Sequence, residues 1–98
     1  MTVKTLPFDP AEVLDTREAV AAYLTDALQS GDAAEIADAF GVVARARGMS
    51  ELARDTGLNR QALYRSLSSN GNPELSTLLA LMESFGLSLA ALPKEKVA

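Results

Sequence analysis

Residues 50–67 read Ser-Glu-Leu-Ala-Arg-Asp-Thr-Gly-Leu-Asn-Arg-Gln-Ala-Leu-Tyr-Arg-Ser-Leu, the pattern of two short helices meeting at a tight corner. Ser50 is a capping side chain before Glu51–Thr56, Gly57 interrupts the helix, and Asn59 caps a second one running from Arg60 to about Ser68. The apolar and small residues each have a packing reason. Ala53 is small where the second helix crosses nearest, Leu52 and Leu58 fill the space beneath the turn, and Leu63 and Leu67 anchor the second helix at i and i+4. With those turned inward, Arg60, Gln61, Tyr64 and Arg65 fall on or beside one polar face, with Asn59 at its start. Such side chains reach base edges and phosphates from the major groove, so the segment is expected to be a DNA-reading helix-turn-helix. An ordinary helical hairpin with a solvated face would account for the glycine. It would not account for this much arginine in an acidic chain.

Outward from this unit the chain reads as helices. Asp15-Thr-Arg-Glu18 is a capping-box start, followed by Val20, Leu24, Ala27 and Leu28 at helical spacing and stopped at Ser30-Gly31. Asp32-Ala-Ala-Glu35 repeats the signal for a helix with the stripe Ile36, Ala39 or Phe40, and Val43, ending at Gly48. Downstream, Ser69-Asn70-Gly71 marks a turn with glycine available for positive φ, and Asn72-Pro73 is an N-cap followed by proline at the first helical position. Leu75, Leu78, Leu79, Met82 and Phe85 then line one face of a fifth helix closed by Gly86, and Leu81 lies off that face. Leu87, Leu89 and Ala91 alternate with Ser88, Ala90 and Leu92, the period of a half-buried strand. The expected fold is therefore all-α, five helices with a short C-terminal extended strand. Residues 1–14 form an arm, 15–86 the helical domain, and 87–98 the strand and tail. A lone strand needs an edge partner, and Leu81, Leu87, Leu89 and Leu92 are too apolar for a free tail, so a homodimer joined through this segment is expected.

Composition limits the chemistry. The 98 residues are 48% hydrophobic and 22% charged, enough for one folded domain. Cysteine and histidine are both absent, which removes thiolate and imidazole metal sites, the usual nucleophile and the usual general base. No enzyme and no cofactor is expected. No stretch has the length or apolarity of a membrane span, so the protein is expected in the cytoplasm. The net charge of −4 is unevenly placed. Residues 1–44 carry eight acids against two bases, whereas 45–65 carry five arginines against two acids. Two oppositely charged surfaces suit two oppositely charged partners.

Beyond these patterns the chain resembles the antidote proteins of addiction modules, antitoxins of the HigA type with a Cro or phage-repressor-like helix-turn-helix. The resemblance is carried by Phe8-Asp9-Pro10-Ala11-Glu12, by Ala44-Arg-Ala-Arg-Gly-Met-Ser50, by Leu52-Ala53 with Thr56-Gly57-Leu58, by Ala62–Ser68, and by Gly71-Asn72-Pro73. It implies a λ-repressor-like five-helix domain and a homodimer bound to a palindromic operator before its own operon. It also implies a small basic toxin of the RelE/ParE superfamily as second partner. Asn59, Arg60, Gln61, Tyr64 and Arg65 match the base-reading positions, Ser50 a phosphate contact and Asn72 a loop contact. Arg45 and Arg47 are candidate phosphate contacts, although cations in the last helical turn also complement the helix dipole. Arg54 is another, in competition with pairing to Glu51 or Asp55. In the arm, Phe8, Asp9 and Glu12 are candidates for the toxin contact, with Phe8 either an anchor in the toxin or a staple on its own core. A phage-type repressor with no toxin would need only the DNA face, and an adaptor that had lost DNA binding neither it nor an operator.

Overall fold

The computed structural model describes residues 14–94. They form five α-helices, α1 (Arg17–Ser30), α2 (Ala33–Arg47), α3 (Met49–Thr56), α4 (Arg60–Ser66) and α5 (Leu75–Phe85). The all-α five-helix expectation holds. The C-terminal strand does not: no strand occurs among the described residues, and 87–94 run without regular structure. Alternating apolar residues make a strand only where another strand lends hydrogen-bond partners, and an all-helical chain provides none. Instead the Leu87 amide donates to the Met82 carbonyl at 2.8 Å, so the chain turns back at the end of α5 and half-buries Leu87 against the core.

Local signals place most helix ends. The Thr16 hydroxyl, one residue later than the expected Asp15, caps α1 by accepting from the Ala19 amide at 3.0 Å. Asp32 caps α2, accepting from the amides of Ala34 and Glu35. Gly31 and Gly86 close α1 and α5 in the left-handed conformation that side chains resist. Two expected starts shift. α3 begins at Met49 behind Gly48, leaving Ser50 inside the first turn, and α5 begins at Leu75 behind Glu74, without a side-chain cap, rather than behind Asn72.

The two-residue link after Ser30 folds α2 back on α1, and α3 packs on α2, α4 and α5. Their shared core is built from Val20, Leu24 and Ala27 of α1, Phe40, Val43 and Ala44 of α2, Met49 and Leu52 of α3, Leu63 and Leu67, and Leu81, Met82 and Phe85 of α5, with Leu14 at one end. Burial of one such leucine or phenylalanine is worth about 1.5–3 kcal/mol. The inward face of α5 differs from expectation. Leu81, the residue set aside for dimerisation, is wholly buried in its own chain, whereas Leu75 and Leu79 are 63% and 46% exposed. With six large apolar residues among eleven, two overlapping stripes satisfy helical periodicity, and Leu78, Leu81, Met82 and Phe85 is the stripe that packs into the core.

Close backbone approaches complete the packing. A Cβ on the buried Gly41 in mid-α2 would overlap the Leu67 carbonyl oxygen at the end of α4. Gly71 is also needed for space rather than for positive φ: its Cβ would overlap the Ser66 carbonyl, and its amide donates to the Ser68 carbonyl at 2.8 Å.

Candidate nucleic-acid interface

The corner between α3 and α4 is held by local hydrogen bonds and by burial. Gly57 adopts the left-handed conformation with φ of 76°, and its amide donates to the Ala53 carbonyl at 2.9 Å. The Thr56 hydroxyl donates to the Leu52 carbonyl at 2.6 Å and accepts from the Leu58 amide at 3.2 Å, bridging both sides of the turn. Thr56 had no assigned role in the sequence reading, yet a threonine four residues after an apolar helix position and just before glycine is a detectable signal for this bridge. The Asn59 side chain accepts from the Ala62 amide at 2.9 Å and caps α4. Leu63 and Leu67 are buried, which fixes the roll of the helix about its axis.

That roll turns Arg60, Gln61, Tyr64 and Arg65 outward, all four exposed. The Arg60 guanidinium lies 5.5 Å from the centre of the Tyr64 ring, one helical turn away. Asn59 and Arg65 line an open groove of about 490 Å³ between α4 and the beginning of α5, together with Asn72 and Glu74. Thus Asn72, distant in sequence from Asn59, comes to the same groove. Asn59 is already engaged as a cap, so one lobe of its carbonyl oxygen is committed to the backbone.

The candidate phosphate contacts separate. Ser50 and Arg54 are exposed on α3, and Asn72 is exposed in the loop. Arg47 is exposed, but its guanidinium sits 5.2 Å from the centre of the buried Phe85 ring, an attachment that ties the end of α2 to α5. Arg45 is exposed and lies back beside Gly41, where its charge also reaches Tyr23. Burial raises the Tyr23 phenol above its usual pKa of 10.0, the Asp38 carboxylate adds to the rise, and Arg45 opposes it.

Tyr23 belongs to a second surface. With Asp26, Glu35 and Asp38 it lines an open groove of about 230 Å³ between α1 and α2, which carries three acids and no base. Of the residues assigned to a second partner, Phe8, Asp9 and Glu12 lie outside the described residues. Of those assigned to dimerisation, Leu89 and Leu92 are exposed, Leu87 is half-buried and Leu81 is inaccessible. Among the described residues no group of three or more acidic side chains is arranged to hold a metal ion, and no helix is long and apolar enough to cross a membrane.

Comparison with known proteins adds what geometry cannot. No solved structure matches the chain. An uncharacterised protein of Haemophilus influenzae is 41% identical over 87 residues, covering 89% of this chain and 90% of its own. Residues 4–93 match the family model described as "Probable addiction module antidote protein". Antidote proteins of addiction modules are not enzymes, in keeping with the expectation drawn from composition. The chain belongs to the addiction module antidote protein family.

Proposed function

We propose that the protein is the antitoxin of a type II toxin–antitoxin module, neutralising a basic RelE/ParE-superfamily toxin by direct binding and repressing its own operon as a homodimer on a palindromic operator. The observation that carries the DNA half is the roll of α4. Leu63 and Leu67 turn inward, and Arg60, Gln61, Tyr64 and Arg65 stand exposed beside a capped helix start. In this reading α3 and α4 are a helix-turn-helix of the Cro type and α4 enters the major groove. Gln61 suits an adenine edge, and Arg60 or Arg65 a guanine edge. Ser50, Arg54, Arg45 and Asn72 meet phosphates around it. Arg47 serves there only if it leaves Phe85.

The second half rests on charge and on family. Eight acids among residues 1–44 complement a basic toxin, with Phe8, Asp9 and Glu12 of the arm as contacts, together with residues of α1. Dimerisation uses the exposed leucines of the C-terminal segment, Leu89 and Leu92, through side-chain packing. The test is duplex binding at several salt concentrations with the region upstream of the protein's own reading frame, with and without the product of the adjacent frame. Preferential binding to that duplex and co-purification of the adjacent product are expected. Equal affinity for unrelated DNA, or failure to retain the neighbour, refutes the corresponding half.

A further inference from the structure

We infer that Tyr64 is a positioning residue for Arg60: its ring holds the guanidinium in place on the exposed face of α4 before DNA arrives, and so sets the sharpness of sequence discrimination. The inference deepens the DNA-reading function proposed above and rests on it.

Three observations lead to it. The first is geometric: the guanidinium of Arg60 lies 5.5 Å from the ring centre of Tyr64, within range of cation–π attraction, and the two residues are i and i+4 on one helix face. The second concerns the helix itself. α1, α2 and α3 each place an acid in the first turn, Glu18, Glu35 and Glu51, as the helix dipole favours. α5 also lacks one, but α4 begins with Arg60 and, unlike α1, whose leading Arg17 is followed by Glu18, has no acid beside the cation, so the helix dipole opposes it. Folding alone does not favour that arrangement, and the Tyr64 ring is the group that offsets it. The third is burial. Tyr64 is 44% exposed and stands outside the core, which the adjacent Leu63 already serves. The comparison with Arg47 sharpens the point, since that arginine lies over Phe85, a ring buried in the core, and its pairing joins two helices. The pairing of Arg60 with Tyr64 joins nothing to the core. Its consequence is a restricted arginine on a surface, which loses less rotamer freedom when it binds than an unrestrained one.

The test uses four variants of the full chain, Tyr64→Phe, Tyr64→Leu, Arg60→Ala and the double variant Arg60→Ala with Tyr64→Leu. The probes are the duplex upstream of the protein's own reading frame and calf-thymus DNA. Tyr64→Phe keeps the ring and is expected to retain most of the affinity and preference that Tyr64→Leu loses. Tyr64→Leu keeps apolar bulk and helix propensity without the ring. It is expected to bind the upstream duplex roughly two- to five-fold more weakly and with reduced preference over calf-thymus DNA. The same change in the Arg60→Ala background is expected to cost nothing further. NMR of the free protein is expected to show Arg60 side-chain protons shifted upfield in the wild type and Tyr64→Phe, and not in Tyr64→Leu. The inference is overturned if Tyr64→Leu binds like the wild type, if its loss persists undiminished without Arg60, or if Tyr64→Phe fails as Tyr64→Leu does. A wild-type protein that binds both probes equally overturns the DNA-reading function itself, and this inference with it.

Discussion

Replacing Gly41 with alanine sets two elementary effects against each other. Gly41 lies within α2, where alanine is the better helix former by about 1 kcal/mol. Propensity therefore predicts a more stable protein. The added methyl group, however, overlaps the carbonyl oxygen of Leu67, a backbone atom that cannot rotate away as a side-chain terminus would. Overpacking of a core costs about 1–3 kcal/mol, and a fixed backbone neighbour places this site toward the upper part of that range. The net expectation is a loss of about 1–2 kcal/mol, which for a domain of this length lowers Tm by roughly 4–16 °C. Relief requires α2 and the end of α4 to separate. Because Leu67 terminates α4, the variant should also bind the upstream duplex less tightly, although no exposed residue has changed. The assay is thermal and urea denaturation followed by circular dichroism, with Gly57→Ala alongside. At Gly57 nothing lies near the added methyl, and the left-handed φ of 76° alone should cost about 1–2 kcal/mol. A Gly41→Ala protein as stable as the wild type, or more stable, would refute the close-approach argument.

Other substitutions separate roles that the structure places side by side. Asn59→Ala removes the cap on the seven-residue α4 and should cost about 1 kcal/mol in urea denaturation, with Asn59→Ser restoring most of it; unchanged stability would free Asn59 for base reading alone. Gln61→Ala should cost about 1–3 kcal/mol on the upstream duplex with an unaltered salt slope, whereas Arg45→Ala should weaken binding to all DNA alike and flatten the slope of log K against log salt by about one per subunit. Identical salt slopes for the two variants would contradict that division. Because the folded chain raises the Tyr23 pKa, the neutral phenol is favoured on folding, and its contribution is full below pH 10.0 and lost as pH rises through the higher folded value. Wild-type stability should therefore fall more than that of Tyr23→Phe between about pH 8 and about pH 11, and parallel curves would argue against a phenol partly desolvated by folding.

The local determinants of this fold are short-range and were legible in the residues themselves. Asp32 and Asn59 cap their helices because an acceptor side chain and the orphan amides it satisfies are two or three residues apart. Gly31, Gly57 and Gly86 end theirs because the left-handed conformation is set by the residue alone. Leu63 and Leu67, one turn apart, sufficed to fix which side of α4 is polar, so the exposure of Arg60, Gln61, Tyr64 and Arg65 follows from sequence. What required tertiary structure was each choice among locally equivalent answers. The six large apolar residues of α5 allow more than one inward stripe, and only packing into the shared core buries Leu81 and leaves Leu75 and Leu79 outside. Alternation after Gly86 suits a strand, but pairing is a property of two segments, and the rest of the described chain is helical. The same holds for Gly41, whose small size looks like a weakness in a helix until Leu67 is brought against it from 26 residues away. Spacing along one segment specifies a helix and its ends, whereas the direction in which it faces depends on neighbours that the chain brings together only on folding.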